Sequence, residues 1–387
     1  AALAYGRVLR QLGHIGEARQ VLERVRPAWK LQPELAYEYA LVMLAQNDAD
    51  GALPILETAL HDGLPSLEAY LLYAKILLGE YRAVNTPWDK EVATRRMQQA
   101  DQALRKIMEM APDSLEARFL MADLLREKGE LEEALELYRA LAELPAATTP
   151  ELRWRVQWGL GRTAMRLGQT DLALVALREA VHAKPDSLLL QHGLAEASLR
   201  IGLADAALEA ANAALQLAPD HVENLAWYAD LADRLGEGHL AVDALERAVQ
   251  IEPRRADLLI RLAGYQMNTG DLASVRKTLA TVFDLENVGS SQLRQAGQIS
   301  MRMEDPAEAL KWFNRALAGD PAAPPDLLFE VAELHERMGN LEAAHELSQR
   351  ALDEHPNNLR AYLFQSDLLA RLDRPQAALA LLERALR

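Results

Sequence analysis

Few side chains in this 387-residue sequence are arranged for chemistry. The segment from Gly159 to Ala164 fits the pattern G-x-G-x-x-A, which approaches a nucleotide pyrophosphate when it follows a strand and opens a helix. Here the pattern lies in the middle of a segment with helical periodicity, where Gly161 is expected to be a small residue at a helix crossing. The sequence therefore predicts no nucleotide site at this position.

A second segment, from Gln46 to Glu57, partly imitates a calcium-binding loop. Asp48, Asp50, Gly51 and Glu57 stand where that motif carries its ligands and its turn glycine. Gln46 occupies the first position, which needs an aspartate in the motif. We therefore expect an ordinary turn between two helices here, with no bound metal.

Arrangements typical of catalysis are missing from the sequence. The nine histidines are scattered and never form H-E-x-x-H, and neither a G-x-S-x-G elbow nor a phosphate-binding P-loop occurs. Acidic pairs are plentiful, but solvated helix faces produce them by chance when 26% of the residues are charged. The sequence predicts a protein that is not an enzyme, with no catalytic residues, no metal site and no cofactor.

Composition excludes several further classes. The 42 basic and 57 acidic residues give a formal net charge of -15, which argues against a nucleic-acid partner. With no cysteine, disulfides, thiolate metal sites and a cysteine nucleophile are impossible. Because no apolar run reaches ~18 residues, we expect no direct membrane insertion in this segment. Composition leaves the compartment open between periplasm and cytoplasm.

A repeat of 34 or 35 residues runs through the sequence. Pro185, Pro219 and Pro253 are spaced 34 apart, and Pro321 and Pro356 continue the series. Within each period, apolar residues recur at three- and four-residue spacing in two segments, which predicts two amphipathic helices. Small residues repeat in phase with the prolines, as a first series Ala207, Ala241, Ala309, Ala344 and Ala378, and a second series Ala122, Gly161, Ala195, Ala229, Ala263, Gly297 and Ala332.

This pattern resembles the tetratricopeptide repeat family. The resemblance implies an all-α fold, a right-handed α-solenoid (superhelix) of stacked helix-turn-helix units. Eleven units are expected, beginning near residues 1, 33, 67, 115, 154, 188, 222, 256, 290, 325 and 359. Because one unit cannot bury its apolar faces alone, residues 1–387 are expected to form a single solenoid rather than several globular domains.

Two insertions interrupt the period. The third unit is stretched at residues 79–91, where Thr86-Pro87 predicts that its second helix runs from about Pro87 to Met110. A smaller insertion covers Ala146 to Thr149, after which Thr149-Pro150-Glu151 predicts a new helix. The sequence also begins and ends inside repeats, so we expect either a segment of a longer protein or an end that a partner covers.

The resemblance implies that the first helix of each unit lines a concave binding surface. Tryptophan and arginine are favoured interface anchors because they combine a large contact area with directed donors. Such a strip could hold an extended acidic segment of a partner protein. The alternative is that the tryptophans pack within the repeats and the arginine heads are merely solvated. The candidate partner-binding residues at the lining positions are Arg155, Trp158, Arg162, Arg166, His192, Trp227, Arg261 and Arg294.

Arginine also recurs in the last turn of the first helices, at Arg166, Arg200, Arg234, Arg302, Arg337 and Arg371. The helix dipole favours a cation there by ~0.3–1 kcal/mol, so a structural role is expected for most of them. Phe329, Glu333, Phe364 and Asp367 predict a second, more acidic surface. No unit carries the Lys and Asn pair with which one subgroup of the family clamps a C-terminal carboxylate, which disfavours that mode of binding.

The sequence favours a non-enzymatic scaffold that binds a polypeptide partner on its concave face. A second hypothesis is a periplasmic scaffold segment of a bacterial exopolysaccharide export protein, which would recruit a secretion-system or polymer-modifying enzyme. This hypothesis arises because similar solenoids occur in such proteins. A third hypothesis, sugar stacking on Trp158 and Trp227, ranks lower because it needs exposed rings.

Overall fold

The computed structural model describes residues 1–64, 66–79, 89–144, 149–319, 325–354 and 359–385. These residues form α-helices joined by short turns, with one short 3-10 helix and no β-strand. The chain divides into two compact units, Ala1–Ala210 (unit one) and Ala211–Arg387 (unit two). The boundary between the units falls within one helix, Ala204–Leu217. A single solenoid over the whole chain stays a prediction.

Unit one is built from helical hairpins. The two helices of each of the first five hairpins pack against each other, and each of these hairpins packs on the next element. Its helices are α1 (Ala2–Gln11), α2 (Ile15–Arg24), the 3-10 helix η1 (Arg26–Ala28), α3 (Pro33–Ala45), α4 (Ala49–His61), α5 (Leu67–Leu77), α6 (Lys90–Met110), α7 (Leu115–Lys128), α8 (Leu131–Ala142), α9 (Pro150–Arg166), α10 (Thr170–Ala183), α11 (Leu188–Arg200) and the first half of α12 (Ala204–Leu217).

Unit two continues the same arrangement of paired helices. The all-α solenoid class of tetratricopeptide units predicted from the sequence is confirmed in both units. After the second half of α12, its helices are α13 (Val222–Arg234), α14 (Gly238–Ile251), α15 (Ala256–Asn268), α16 (Leu272–Phe283), α17 (Ser290–Arg302), α18 (Pro306–Gly319), α19 (Pro325–Arg337), α20 (Leu341–Glu354), α21 (Leu359–Arg371) and α22 (Pro375–Ala385).

Small residues set how closely the two helices of a hairpin approach. A Cβ added to Gly161 would lie 2.6 Å from Cγ of Leu177, and one added to Gly297 would lie 2.5 Å from Cε1 of Phe313. Gly6 meets Leu22 in the same way, so the series extends to the first hairpin. We call the small residue of each first helix its crossing residue. The crossing residues used below are Gly6, Ala40, Gly161, Ala195, Ala229, Ala263, Gly297 and Ala332.

The turns and caps follow local side-chain chemistry. Gly129 ends α7 in the left-handed conformation with φ 89°, which a residue without Cβ adopts without strain. Thr149 caps α9 by accepting a hydrogen bond from the Leu152 N–H at 3.2 Å, so the predicted helix start after the second insertion is confirmed. Asp305 caps α18 similarly, from the Glu308 N–H at 3.0 Å.

The first insertion is only partly described. The helix α6 begins at Lys90, where Asp89 accepts a hydrogen bond from the Glu91 N–H at 2.9 Å, and it ends at Met110 as predicted. The predicted start near Thr86-Pro87 lies outside the described residues. The role of residues 79–91 as a helix-extending insertion therefore stays a prediction.

Candidate functional site

A groove in unit one brings three of the predicted residues together. It lies between α9 and α11, encloses about 330 Å³, and is called the α9–α11 groove below. Buried Leu177 and Ala197 form its apolar floor together with half-buried Met165. Trp158 stands at one side of this floor. The exposed side chains of Arg162, Arg166 and Arg200 form its rim.

Trp158 is half-buried and is held by packing as well as being part of the groove. Its ring edge lies on Gly193, where an added Cβ would come within 2.1 Å of the ring atom Cζ3. The guanidinium of Arg162 lies 5.5 Å from the indole centroid, within cation–π range. Trp158 therefore packs against the next repeat and also borders an open groove, while a role in partner binding stays a prediction.

The three arginines of the rim make few polar contacts with the described residues of the chain. Among the described residues, Arg162 and Arg200 have no hydrogen bond and no carboxylate partner, while Arg166 donates to the Arg126 carbonyl oxygen at 3.0 Å. The pKa of Arg162 is lowered, first by desolvation and then by the nearby Arg126 cation, while the carboxylates of Glu127 and Asp123 partly oppose this shift. Glu196 also lines the groove, so three guanidinium groups accompany one carboxylate there.

Arg155 serves an internal ion pair. Its Nη1 donates to Oε1 of Glu116 at 3.0 Å, and its guanidinium lies 4.4 Å from the Phe119 ring centroid. Lys75 reaches the same carboxylate oxygen at 2.8 Å. Burial by itself would raise the pKa of Glu116, but these two cations more than offset burial and lower it. Arg155 thus ties α9 to α7. His192 lies half-buried on α11 and already interacts with other residues.

The predicted residues of unit two are also engaged within the chain. Arg261 on α15 donates to the Ala226 carbonyl oxygen at 2.7 Å and pairs with Asp230 on α13. The Tyr265 hydroxyl donates to Asp230 as well, and the pKa of Tyr265 is raised by burial and by that carboxylate. Trp227 is half-buried and interacts with other residues. These contacts occupy Arg261.

Arg294 on α17 forks the carboxylate of Glu330 on α19. Its Nε donates to Oε2 at 2.9 Å and its Nη2 to Oε1 at 2.6 Å, a bidentate geometry. Gln298 donates to the same Oε1 at 3.1 Å. Gln298 and Glu330 line a second groove of about 180 Å³, together with Phe313 and Leu334. Arg294 therefore already holds a carboxylate of its own chain.

The predicted acidic surface needs one correction. Phe329 is only 5% exposed and belongs to the core, where its ring meets Phe364 edge-on at 6.4 Å between centroids. On α19 the consecutive residues Leu327, Leu328 and Phe329 are all buried, so Phe329 belongs to the core-facing side of the helix, whereas Glu330 is partly exposed. Glu333 and Asp367 are not part of the core, and they contact Arg360 and Arg371 respectively.

Sequence reasoning missed part of the groove. Arg200 belongs to the regular arginine series, for most of which the sequence predicts a structural role, yet it stands on the rim of the groove. Gly193 could not be recognised as a groove residue, because a glycine adds nothing to the hydrophobic periodicity of a helix. Its position, two residues before the crossing residue Ala195, is the signal that could have revealed it. That the strip continues from unit one into unit two stays a prediction.

The other motifs have ordinary structural places. Gly159 to Ala164 lies inside α9, and Asp48 caps α4 by accepting from the Gly51 N–H at 2.8 Å, as the sequence predicted for both segments. Across the described ranges, no three His, Asp or Glu side chains come together as metal ligands. No helix in the described part is long and apolar enough to span a bilayer.

Family models identify the family of this chain. Two models described as tetratricopeptide repeat match residues 92–153 and residues 3–66, 159–222 and 330–387, together more than half of the chain. Cellulose synthase operon protein C of Komagataeibacter xylinus is 38% identical over 64 residues, which is 16% of this chain and only 5% of that protein.

Two solved structures are similar over longer stretches. The MamA protein is 20% identical and covers 43% of this chain and 91% of its own, with a TM-score of 0.36. A tetratricopeptide repeat protein from Parabacteroides merdae is 14% identical and covers 68% of this chain and 98% of its own, with a TM-score of 0.42.

Proposed function

The chain belongs to the tetratricopeptide repeat family, and from this premise we propose that it is a non-enzymatic scaffold which binds an extended polypeptide partner in the α9–α11 groove. Repeats of this family imply a protein–protein interaction role. The fold is generally a scaffold without catalysis. The groove lies between the first helices of two successive repeats, the face on which the sequence placed the partner.

The observation that carries this proposal is the composition of the groove. Trp158 and the guanidinium groups of Arg162 and Arg200 border an apolar floor, and these two arginines hold no carboxylate among the described residues. Interface hot spots have this character, with tryptophan and arginine placed around a pocket that excludes water. A volume of about 330 Å³ suits a few side chains of an extended segment rather than a large ligand.

Charge supports an acidic segment as the partner. The chain as a whole carries -15, so an acidic partner would be repelled from most of its surface. The groove places three guanidinium groups beside a single glutamate, which makes it locally basic. Such local complementarity favours one docking position and orientation over the others.

The test is affinity capture from the native host, with quantitative mass spectrometry of the retained proteins. The groove variant is Trp158→Ala with Arg162→Ala. The control, Val175→Ala with Arg178→Ala, removes an exposed apolar residue and an arginine from α10, outside the groove lining. We expect a partner that the wild type and the control retain and that the groove variant binds roughly 30-fold more weakly, or about 2 kcal/mol.

The proposal is wrong if every retained protein binds the groove variant as well as the wild type while its circular dichroism is unchanged. Direct titration of the purified partner against the three proteins then gives the affinity ratio. If the control loses as much binding as the groove variant, the α9–α11 groove is not the partner site.

A second candidate function is a periplasmic scaffold segment of an exopolysaccharide export protein that recruits a polymer-modifying or secretion-system enzyme. The 64-residue similarity to a cellulose synthase operon protein favours it. Fractionation of host cells, with the chain detected by antibody, tests the compartment. Recovery in the periplasm together with groove-dependent capture of polysaccharide-secretion proteins supports this candidate, and recovery in the cytoplasm rejects it.

A further inference from the structure

Three junctions between neighbouring repeats carry a polar pair in the same sequence register. One member directly follows the crossing residue of a repeat, and the other stands two residues before the crossing residue of the next repeat. We call these the leading and the answering position. Three junctions show the pair as a direct contact between the two side chains, namely Arg7 with Glu38, Asp230 with Arg261, and Gln298 with Glu330.

At two of these junctions the answering residue is a glutamate held by donors of the preceding repeat. Glu38 is only 1% exposed and accepts from Nε of Arg7 at 3.3 Å and from Nε of Arg10 at 2.6 Å. Glu330 accepts from Gln298 and is forked by Arg294. A carboxylate thus occupies the space between successive first helices at one junction of unit one and at one junction of unit two.

The α9–α11 junction has only half of this pair. Its leading residue is Arg162, which follows Gly161, and its answering residue is Gly193, which stands two before Ala195. Among the described residues Arg162 has no carboxylate partner, and the groove here is about 330 Å³. In unit two, where Glu330 lines the equivalent space, the groove is about 180 Å³.

We propose that the α9–α11 groove binds the carboxylate of an aspartate or glutamate side chain of the partner polypeptide, which completes with Arg162 the pair that the chain completes for itself at Glu38 and Glu330. This inference rests on the proposed function and names the chemistry of the partner at that site. A carboxylate that enters from outside needs no Cβ at position 193, so Trp158 keeps its place on Gly193.

The surroundings of Arg162 favour this occupant. An ionised acceptor makes shorter and stronger hydrogen bonds with a guanidinium than a neutral acceptor does. Partial desolvation and the nearby Arg126 cation lower the pKa of Arg162, although Glu127 and Asp123 act in the opposite direction, so an incoming anion adds a favourable charge beside Arg162. Leu177 and Ala197 offer an apolar floor to the neighbouring side chain of the same segment.

The first experiment needs no partner. Gly193→Glu and Gly193→Gln add the same bulk against Trp158, but only the glutamate supplies a carboxylate. Both are made in the wild type and in an Arg162→Gln background, as a double-mutant cycle. At pH 7 and low salt we expect the glutamate variant to melt roughly 2 °C higher than the glutamine variant, and this difference to vanish with Arg162→Gln. Equal melting temperatures in the wild-type background would overturn the inference.

The second experiment uses peptides and decides the question if neither variant at position 193 folds. The probes are fluorescein-labelled peptides of alternating leucine and glutamate with both ends blocked, a glutamine counterpart, and a glutamine counterpart with a free C-terminal carboxylate. We expect the wild type to bind the glutamate peptide at least tenfold more tightly than the blocked glutamine peptide. Arg162→Gln should abolish this preference, and Arg178→Gln should keep it.

The outcomes separate this inference from the proposed function. If the blocked glutamate and glutamine peptides bind equally, or neither binds at millimolar concentration, the carboxylate assignment is wrong. Capture that Trp158→Ala with Arg162→Ala abolishes would still support the groove as the partner site. Preference for the free C-terminus alone would replace the side chain with a chain terminus and overturn the assignment made here.

Discussion

Glu38 is a buried carboxylate whose two partners come from the preceding hairpin. With 1% of its side chain exposed, it depends on Arg7 and Arg10 for its charge to be tolerated. Removing one member of such a pair leaves the other partly desolvated and unpaired, which costs more than the pair itself contributes. The exposure of Arg7, at 51%, moderates this cost, because water can solvate that cation.

We therefore expect Glu38→Ala to lower the free energy of unfolding by about 1–3 kcal/mol. Glu23→Ala is the matched control, because Glu23 is exposed on α2 and has no partner among the described residues. Urea denaturation followed by circular dichroism measures both variants. A loss for Glu38→Ala no greater than that for the control would show that the pair contributes nothing.

His335 introduces a dependence of stability on pH. Burial lowers its pKa below the ordinary 6.5, and its Nδ1 is buried without a hydrogen-bond partner in the described part of the chain. Below pH 6.5 this histidine is protonated in the unfolded chain but still neutral in the folded chain. The free energy of unfolding therefore decreases as the pH is lowered through this range. The slope for one such group is at most about 1.4 kcal/mol per pH unit.

Replacing this histidine should remove that dependence. We expect the unfolding free energy of His335→Gln to change less between pH 7.5 and pH 5.5 than that of the wild type. Urea denaturation at three pH values within this window gives the comparison. Parallel curves for the two proteins would contradict the assigned cause.

At the scale of the element, the turn inside each hairpin differs between repeats. Most of these turns place a glycine in the left-handed region, as Gly129 does, but Glu304 adopts φ 58° in the turn between α17 and α18. A residue with Cβ is strained there by roughly 1–2 kcal/mol relative to glycine. Part of that strain is offset because glycine has more freedom in the unfolded chain.

Two opposite substitutions test this account. We expect Glu304→Gly to raise the free energy of unfolding by about 0.5 kcal/mol and Gly129→Ala to lower it by about 1 kcal/mol. Thermal melts of the two variants beside the wild type provide the measurement. The account fails if both substitutions shift stability in the same direction.

The hairpins themselves could be predicted because their constraints are local. A crossing residue such as Gly161 must be small wherever two helices touch, and Thr149-Pro150 announces a helix start within a few residues. The partners of the arginines could not be predicted in this way. Arg294 finds Glu330 36 residues later, and which of several carboxylates it reaches depends on how successive hairpins stack.

Only some of the residues that line the α9–α11 groove could be predicted, because the groove also depends on how successive hairpins stack. Trp158, Arg162 and Arg166 were recognised by residue type at lining positions, and they do come together. The same reasoning also selected Arg155 and Arg261, which are side chains of the same kind that the chain uses internally. Residue type shows which side chains are able to bind a partner. The residue that faces them in the neighbouring repeat determines whether they are already used inside the chain.

For the whole molecule, stability is expected to be local in each unit. Helices contact those of their own and the adjacent hairpin, so a perturbation is transmitted through nearest neighbours. We expect Glu38→Ala to increase amide hydrogen exchange in α1 to α4 and to leave α15 to α20 unchanged. Hydrogen exchange with mass spectrometry resolves these segments. Uniform acceleration across the chain would show global cooperativity instead.

The split of each polar pair across two repeats restricts how this protein can have evolved. A gene duplication that copies one hairpin copies one leading residue and one answering residue. These belong to two different pairs, because the leading residue contacts the next repeat and the answering residue contacts the preceding one. The new neighbours match only if both junctions happen to carry complementary charges. Where they do not match, as with Arg162 and Gly193, a half-pair remains at the junction, and on the proposal made above repeat shuffling then creates a binding site without any substitution.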